Sequence, residues 1–148
     1  MKIFGHPVHI MLIHFPSALL PMDLICSLVG YYTGNLSFTH AAYFAMAGGV
    51  GLGALAIITG AFDLIGIAEN KPLSLKKALI HGGINSTVII AYSVLLFGSY
   101  KDYPDLSTDS IAMLTVKGSF VTFMILGNYI GGSLILKDGV GLEIVKRK

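Results

Sequence analysis

Apolar residues run through this chain in four blocks that Asp, Glu, Lys and Arg barely interrupt: 3–22 continuing past Asp23 to 33, 41–62, 78–100 and 118–136. Each reaches the roughly 20 residues that cross about 30 Å of hydrocarbon, the first by tolerating Asp23 and the fourth by tolerating Lys117. None of the blocks carries the polar face that a helix on the surface of a soluble core needs, so all four are read as transmembrane helices. Turn residues set the bounds. Gly34-Asn35 ends the first helix, His40 starts the second, Asn70-Lys71-Pro72 separates the second from the third, and Tyr103-Pro104-Asp105 separates the third from the fourth. The pattern predicts helices over 8–33, 40–66, 77–100 and 110–136, arranged as an up-down-up-down four-helix transmembrane bundle in a single domain, 1–148. Pro7 suits a first helical position, whereas Pro16 and Pro21 should kink the first helix. Gly49-x-x-x-Gly53, Ala56-x-x-x-Gly60 and Gly127-x-x-x-Gly131 have the spacing that lets helix backbones approach closely in lipid, and they are read as packing.

Composition reinforces the membrane reading: 54% of the residues are hydrophobic and 12% charged, where a soluble domain carries about 25% charged. The single Cys26 leaves no intramolecular disulfide to form. The N-terminal run is long, interrupted by prolines and without a small-x-small cleavage site, so it is expected to be a retained span. Of the basic residues, Lys2, Lys71, Lys76, Lys77, Lys137, Lys146, Arg147 and Lys148 fall on one side of such a bundle, and Lys101 alone on the other. The positive-inside rule then puts both termini in the cytoplasm. The net charge of +2 comes without a basic patch interleaved with aromatics, which gives no nucleic-acid partner. The lipid bilayer is the expected partner, and the basic tail is expected to touch anionic headgroups.

Candidate chemistry is concentrated where the helices meet the cytoplasmic side. His6-Pro7-Val8-His9 and His14-Phe15-Pro16 open the chain. Topology adds His81 and Asn85 near the start of the third helix, Asp63 near the end of the second and Asn128 in the fourth. A polar layer drawn from all four helices, with imidazoles on two of them, points to a bound group. The competing reading is that these side chains only hydrogen-bond between helices. At the opposite end, Asp23 and Lys117 match in depth and are expected to form an intramembrane ion pair, read as structural in preference to a proton or ion relay. His40, beside Phe38, is read as an interfacial residue.

At these residues the chain resembles the bacterial membrane protein family known as domain of unknown function 2231. The resemblance rests on Gly5-His6-Pro7-Val8-His9 with His14-Phe15-Pro16, Gly60-Ala61-Phe62-Asp63, His81 with Asn85, and Gly131-Gly132-Ser133-Leu134 followed by Gly139-Val140-Gly141. The resemblance implies a membrane protein without a settled activity, and fusions of similar proteins to haem- or iron-sulfur-bearing domains tilt the reading toward electron transfer. This chain departs from the pattern at Lys137-Asp138, where similar proteins often have His before the Gly-Val-Gly.

The leading expectation is therefore a membrane subunit that binds b-type haem, with His14 and His81 as axial ligands and possible redox subunits as partners. Asp63 or Asn85 would orient a ligand through its second ring nitrogen. Three alternatives stand beside it: a non-haem transition metal held by His6, His9, His14, His81 and Asp63; a quinone or proton-relay site; and an assembly subunit with no cofactor. The chain has no nucleophile paired with a base, no phosphate loop and no zinc-protease motif, so a self-contained hydrolase or nucleotide enzyme is not expected, and whether it is an enzyme stays open.

Overall fold

A computed structural model describes the backbone of residues 2–3 and 6–140, with side chains from Val8 onward. Two-residue strands β1 (Lys2–Ile3) and β2 (His6–Pro7) pair antiparallel ahead of the helices. Helices α1 (Val8–Leu12) and α2 (His14–Thr33) together make the first apolar rod. They are followed by α3 (Leu36–Asn70), α4 (Pro72–Asp102) and α5 (Ile111–Leu136). These are four helical rods long and apolar enough to cross a membrane. Large apolar side chains such as Ile90, Val94, Phe97 and Tyr129 lie exposed on the outside, as they would toward lipid.

The first rod breaks where proline dictates. Pro16 has no N–H to give the Leu12 carbonyl, and the helix is interrupted at Ile13. Ile13 keeps helical dihedrals (φ −62°, ψ −21°), so α1 and α2 remain nearly in phase. Gly34 closes α2 in the left-handed conformation (φ 67°), its N–H bonded to the Gly30 carbonyl. Asn35 then caps α3 by accepting from the Ser37 N–H at 3.0 Å.

Two helix starts therefore differ from the sequence expectation. The second helix begins at Leu36 instead of at His40, because the Asn35 cap recruits the residues between them. The third begins at Pro72 instead of at residue 77, because proline is well placed in a first turn where its missing N–H has no helical partner. Ser110 starts α5 by accepting from the Met113 N–H.

Inward residues recur every three or four positions: Pro16, Leu20, Asp23, Ser27 and Gly30 on α2, and Leu114, Lys117, Val121, Met124 and Gly127 on α5. Contacts between neighbouring rods run in opposite directions, Asp23 meeting Lys117 while Ser17 meets Asn128. At mid-height Leu20, Met46, Val88, Ile89, Tyr92, Val121 and Met124 form an apolar layer. Gly49 and Gly53 make it dense: a Cβ on Gly49 would collide with Leu20, and one on Gly53 with Ile89. Polar groups gather above and below this layer.

Candidate functional site

On the side of the layer nearest the α3–α4 connection lies a cavity of about 800 Å³, with walls from all four rods. His9, Asp63, His81, Asn85 and Asn128 line it together with Ser17 and many aliphatic side chains. Ala61, Leu79, Gly82 and Gly83 also line it and are exposed on the outer surface, so the cavity borders the lipid-facing side between α3 and α4.

The two cavity imidazoles are held in the same way. His9 Nδ1 lies 2.8 Å from the Ala56 carbonyl and His81 Nδ1 lies 2.7 Å from the Gly127 carbonyl. A carbonyl only accepts, so each Nδ1 carries the proton and donates; in the neutral imidazole this leaves Nε2 with its lone pair. Among the described residues neither Nε2 has a protein hydrogen-bond partner. The ring centres are 6.4 Å apart with planes at 78°. Asn85 Nδ2 lies 3.0 Å from the His81 carbonyl and 3.2 Å from His81 Nδ1, one helical turn along the same face. Asn128 donates to Ser17 Oγ at 2.9 Å, and Ser17 in turn donates to the Ile13 carbonyl beside the helix break.

Glycines make room for both rings. A Cβ on Gly60 would lie 2.9 Å from His9 Cε1, one on Gly131 would lie 2.5 Å from His81 Cε1, and one on Gly127 would lie 2.7 Å from Asn85 Nδ2. The Gly127-x-x-x-Gly131 spacing read from the sequence as helix packing therefore seats the polar pair of α4, and Gly60 seats the imidazole of α1.

The expected pairing of His14 with His81 is corrected by this geometry. His14 is exposed and does not line the cavity. It lies two positions before inward-facing Pro16, about 200° around the helix. His9, one heptad before Pro16, faces inward instead and meets His81. His9 Nδ1 is bonded to the Ala56 carbonyl, which ties the start of the first rod to α3. The side chain of His6 and the tail residues Lys146, Arg147 and Lys148 lie outside the described residues. No cluster of three or more His, Cys, Asp or Glu side chains suited to a metal ion occurs among the described residues, so the five-residue metal set does not assemble there.

Below the apolar layer, Lys117 Nζ lies 2.8 Å from Asp23 Oδ1 and 2.9 Å from Ser27 Oγ. It also makes an ionic contact of 2.7 Å with Asp109 Oδ2, off the line of a hydrogen bond. Neither Ser27 nor Asp109 figured in the sequence reading; Ser27 was legible as the residue one turn beyond Asp23, whereas Asp109 arrives on the connection before α5. His40 bonds the Leu36 and Pro104 carbonyls and packs against Tyr103, tying α3 to that same connection.

At the far end of α5 the departure at Asp138 acquires a structural role. Lys77 donates to the Asp138 carboxylate at 3.0–3.1 Å, and this hydrogen bond holds the carboxyl below its ordinary value. Lys71 donates to the Asp138 and Gly139 carbonyls at 2.6 and 2.7 Å, placing a cation at the helix C-terminus. Gly139 turns the chain with φ 62°.

No curated protein and no solved structure matches the chain. The predicted membrane protein family DUF2231 matches it over residues 5–143, a span that takes in the cavity imidazoles, the buried ion pair and the α5 terminus alike, and the chain belongs to that family.

Proposed function

We propose that the protein is a membrane electron-transfer subunit whose cavity binds one b-type haem between His9 and His81. The observation that carries the reading is the matched pair of imidazoles on one apolar cavity. Each is fixed through Nδ1 to a backbone carbonyl and keeps Nε2 for a ligand. This is the arrangement in which an outer hydrogen bond sets the tautomer and raises the basicity of a metal-binding histidine. The ring centres are 6.4 Å apart, close enough for both imidazoles to serve one bound group. Haem iron would supply one-electron transfer at this position. The chain's own residues would hold the ring pair, exclude water through the aliphatic walls, and admit a flat apolar group past Ala61, Gly82 and Gly83.

Neutral imidazoles with bare Nε2 atoms are acceptors, which favours a metal centre over the carbonyl of a quinone. Among the described residues no group of three or more His, Cys, Asp or Glu side chains gathers to hold a metal, so the pair of imidazoles suits a macrocycle that brings its own four nitrogens better than a bare divalent ion. The excess of Lys and Arg at this end supports assigning the cavity to the cytoplasmic side of a bacterial inner membrane.

The test is the visible spectrum and metal content of protein purified from haem-replete cells. His9→Ala and His81→Ala should each abolish or strongly shift a Soret band while insertion continues, and His14→Ala and His40→Ala should leave it unchanged. Wild-type protein lacking both Soret absorption and bound transition metal would overturn the reading.

A further inference from the structure

The charged cluster below the apolar layer does not balance. Asp23 and Asp109 bring two carboxylates to one ammonium, Lys117. The side chains of Asp23 and Lys117 are 0% and 4% exposed, and that of Asp109 is 23% exposed. The remaining groups around them are Ser27 on α2, Thr39 and Tyr43 on α3, Tyr92 and Ser99 on α4, and Ser107 on the connection to α5. None of these supplies a second cation; Lys101 at this end is exposed, and half-buried His40 is engaged by the Leu36 and Pro104 carbonyls and not by the carboxylates. Asp23 Oδ2 is buried without a hydrogen-bond partner. An ionised oxygen in that position would be costly, because a buried charge needs both a counter-charge and hydrogen bonds to its lone pairs.

We infer that this cluster is a proton-binding site in which one proton is shared between Asp23 and Asp109 and held chiefly on Asp23. With it, the three groups carry no net charge. The exchange path follows from the two contacts of Lys117. A proton from water binds the Asp109 carboxylate at the bundle's end. Lys117 gives an Nζ proton to Asp23 Oδ1 and takes the proton from Asp109 Oδ2, so the ammonium is regenerated and the carboxylic acid moves inward. A space of about 30 Å³ beside Ser27, Asp109 and Lys117 is large enough for one water molecule. The apolar layer stands between this cluster and the imidazole cavity, so the site fills and empties from the α4–α5 end.

Infrared difference spectroscopy of the full chain in lipid, recorded during a pH titration in potassium buffer, tests the inference. The expected result is one protonated carboxyl stretch that persists at neutral pH. Asp23→Asn should remove it. Asp109→Asn, on an accessible connection, should lower its midpoint by about 1–3 pH units, the size of shift that one neighbouring charge produces. The exposed Asp138→Asn serves as the control and should leave it unchanged. Absence of the band in the wild type, or its survival in both cluster variants, overturns the inference. Loss of the band on adding sodium at constant pH overturns it in favour of a metal-cation site.

Discussion

At the scale of single residues, adjacent glycines separate site from scaffold. A methyl group on Gly131 would run into His81, whereas nothing lies within 4 Å of a Cβ built on Gly132. Gly131→Ala should therefore push the imbalance onto the imidazole, breaking its bond to Gly127 and costing about 1–3 kcal/mol as an overpacked contact does. Gly132→Ala should be neutral or stabilising by up to about 1 kcal/mol. Thermal unfolding in detergent, with the bound chromophore followed in parallel, distinguishes the two. The same helical arithmetic explains what the sequence concealed about the histidines. His14 lies nine residues before Asp23, about 180° away, and His9 lies fourteen before it, about 40° away. Phase was therefore legible in the sequence, and it favours His9 over His14. Asp63, Asn85 and Asn128 were legible from topology alone; the carbonyls of Ala56 and Gly127 were not, because any residue type supplies a carbonyl.

At the scale of elements, the second carboxylate changes how the buried ion pair should respond to substitution. Lys117→Met strands Asp23 and Asp109 together and should cost about 3–5 kcal/mol, the usual penalty for leaving buried charge unpaired. Asp23→Asn leaves Lys117 with Asp109 and should be the milder single change. The double variant should recover part of the loss seen with Lys117→Met, and chemical unfolding of all three checks the order. The α5 terminus offers a second test. Lys71 bonds backbone carbonyls and Lys77 bonds a carboxylate, so Lys71→Met should speed hydrogen exchange at the Gly139 and Val140 amides, and Asp138→Asn should change it little. Because the Asp138 carboxyl is held low, its contact with Lys77 is present above the ordinary Asp range and lost as pH falls through the lowered value. Carbon NMR titration of the carboxyl should show it still mainly ionised where a free Asp is half protonated. The four rods themselves were plain in the sequence, since length and apolarity fix a membrane-spanning helix. Their first turns were less so, because the Asn35 cap and the Pro72 start act through backbone geometry that hydropathy does not register.

For the whole molecule, the distribution of basic residues makes a prediction about direction. In a Cys26→Ser background, Leu73→Cys at the exposed start of α4 should resist impermeant thiol reagents in intact cells, and Ser107→Cys on the α4–α5 connection should react. The reverse pattern would turn the bundle over and move the imidazole cavity to the outside. In either direction the mid-height layer around Leu20, Tyr92 and Met124 has the same electrical meaning. His9 and Asp23 are fourteen residues apart, about 21 Å along a helix, and among the described residues no ladder of polar side chains bridges the aliphatic waist between their clusters. The aliphatic waist thus insulates one polar end of the described bundle from the other, so charge gathered at one face of the membrane is not passed along these side chains to the opposite face.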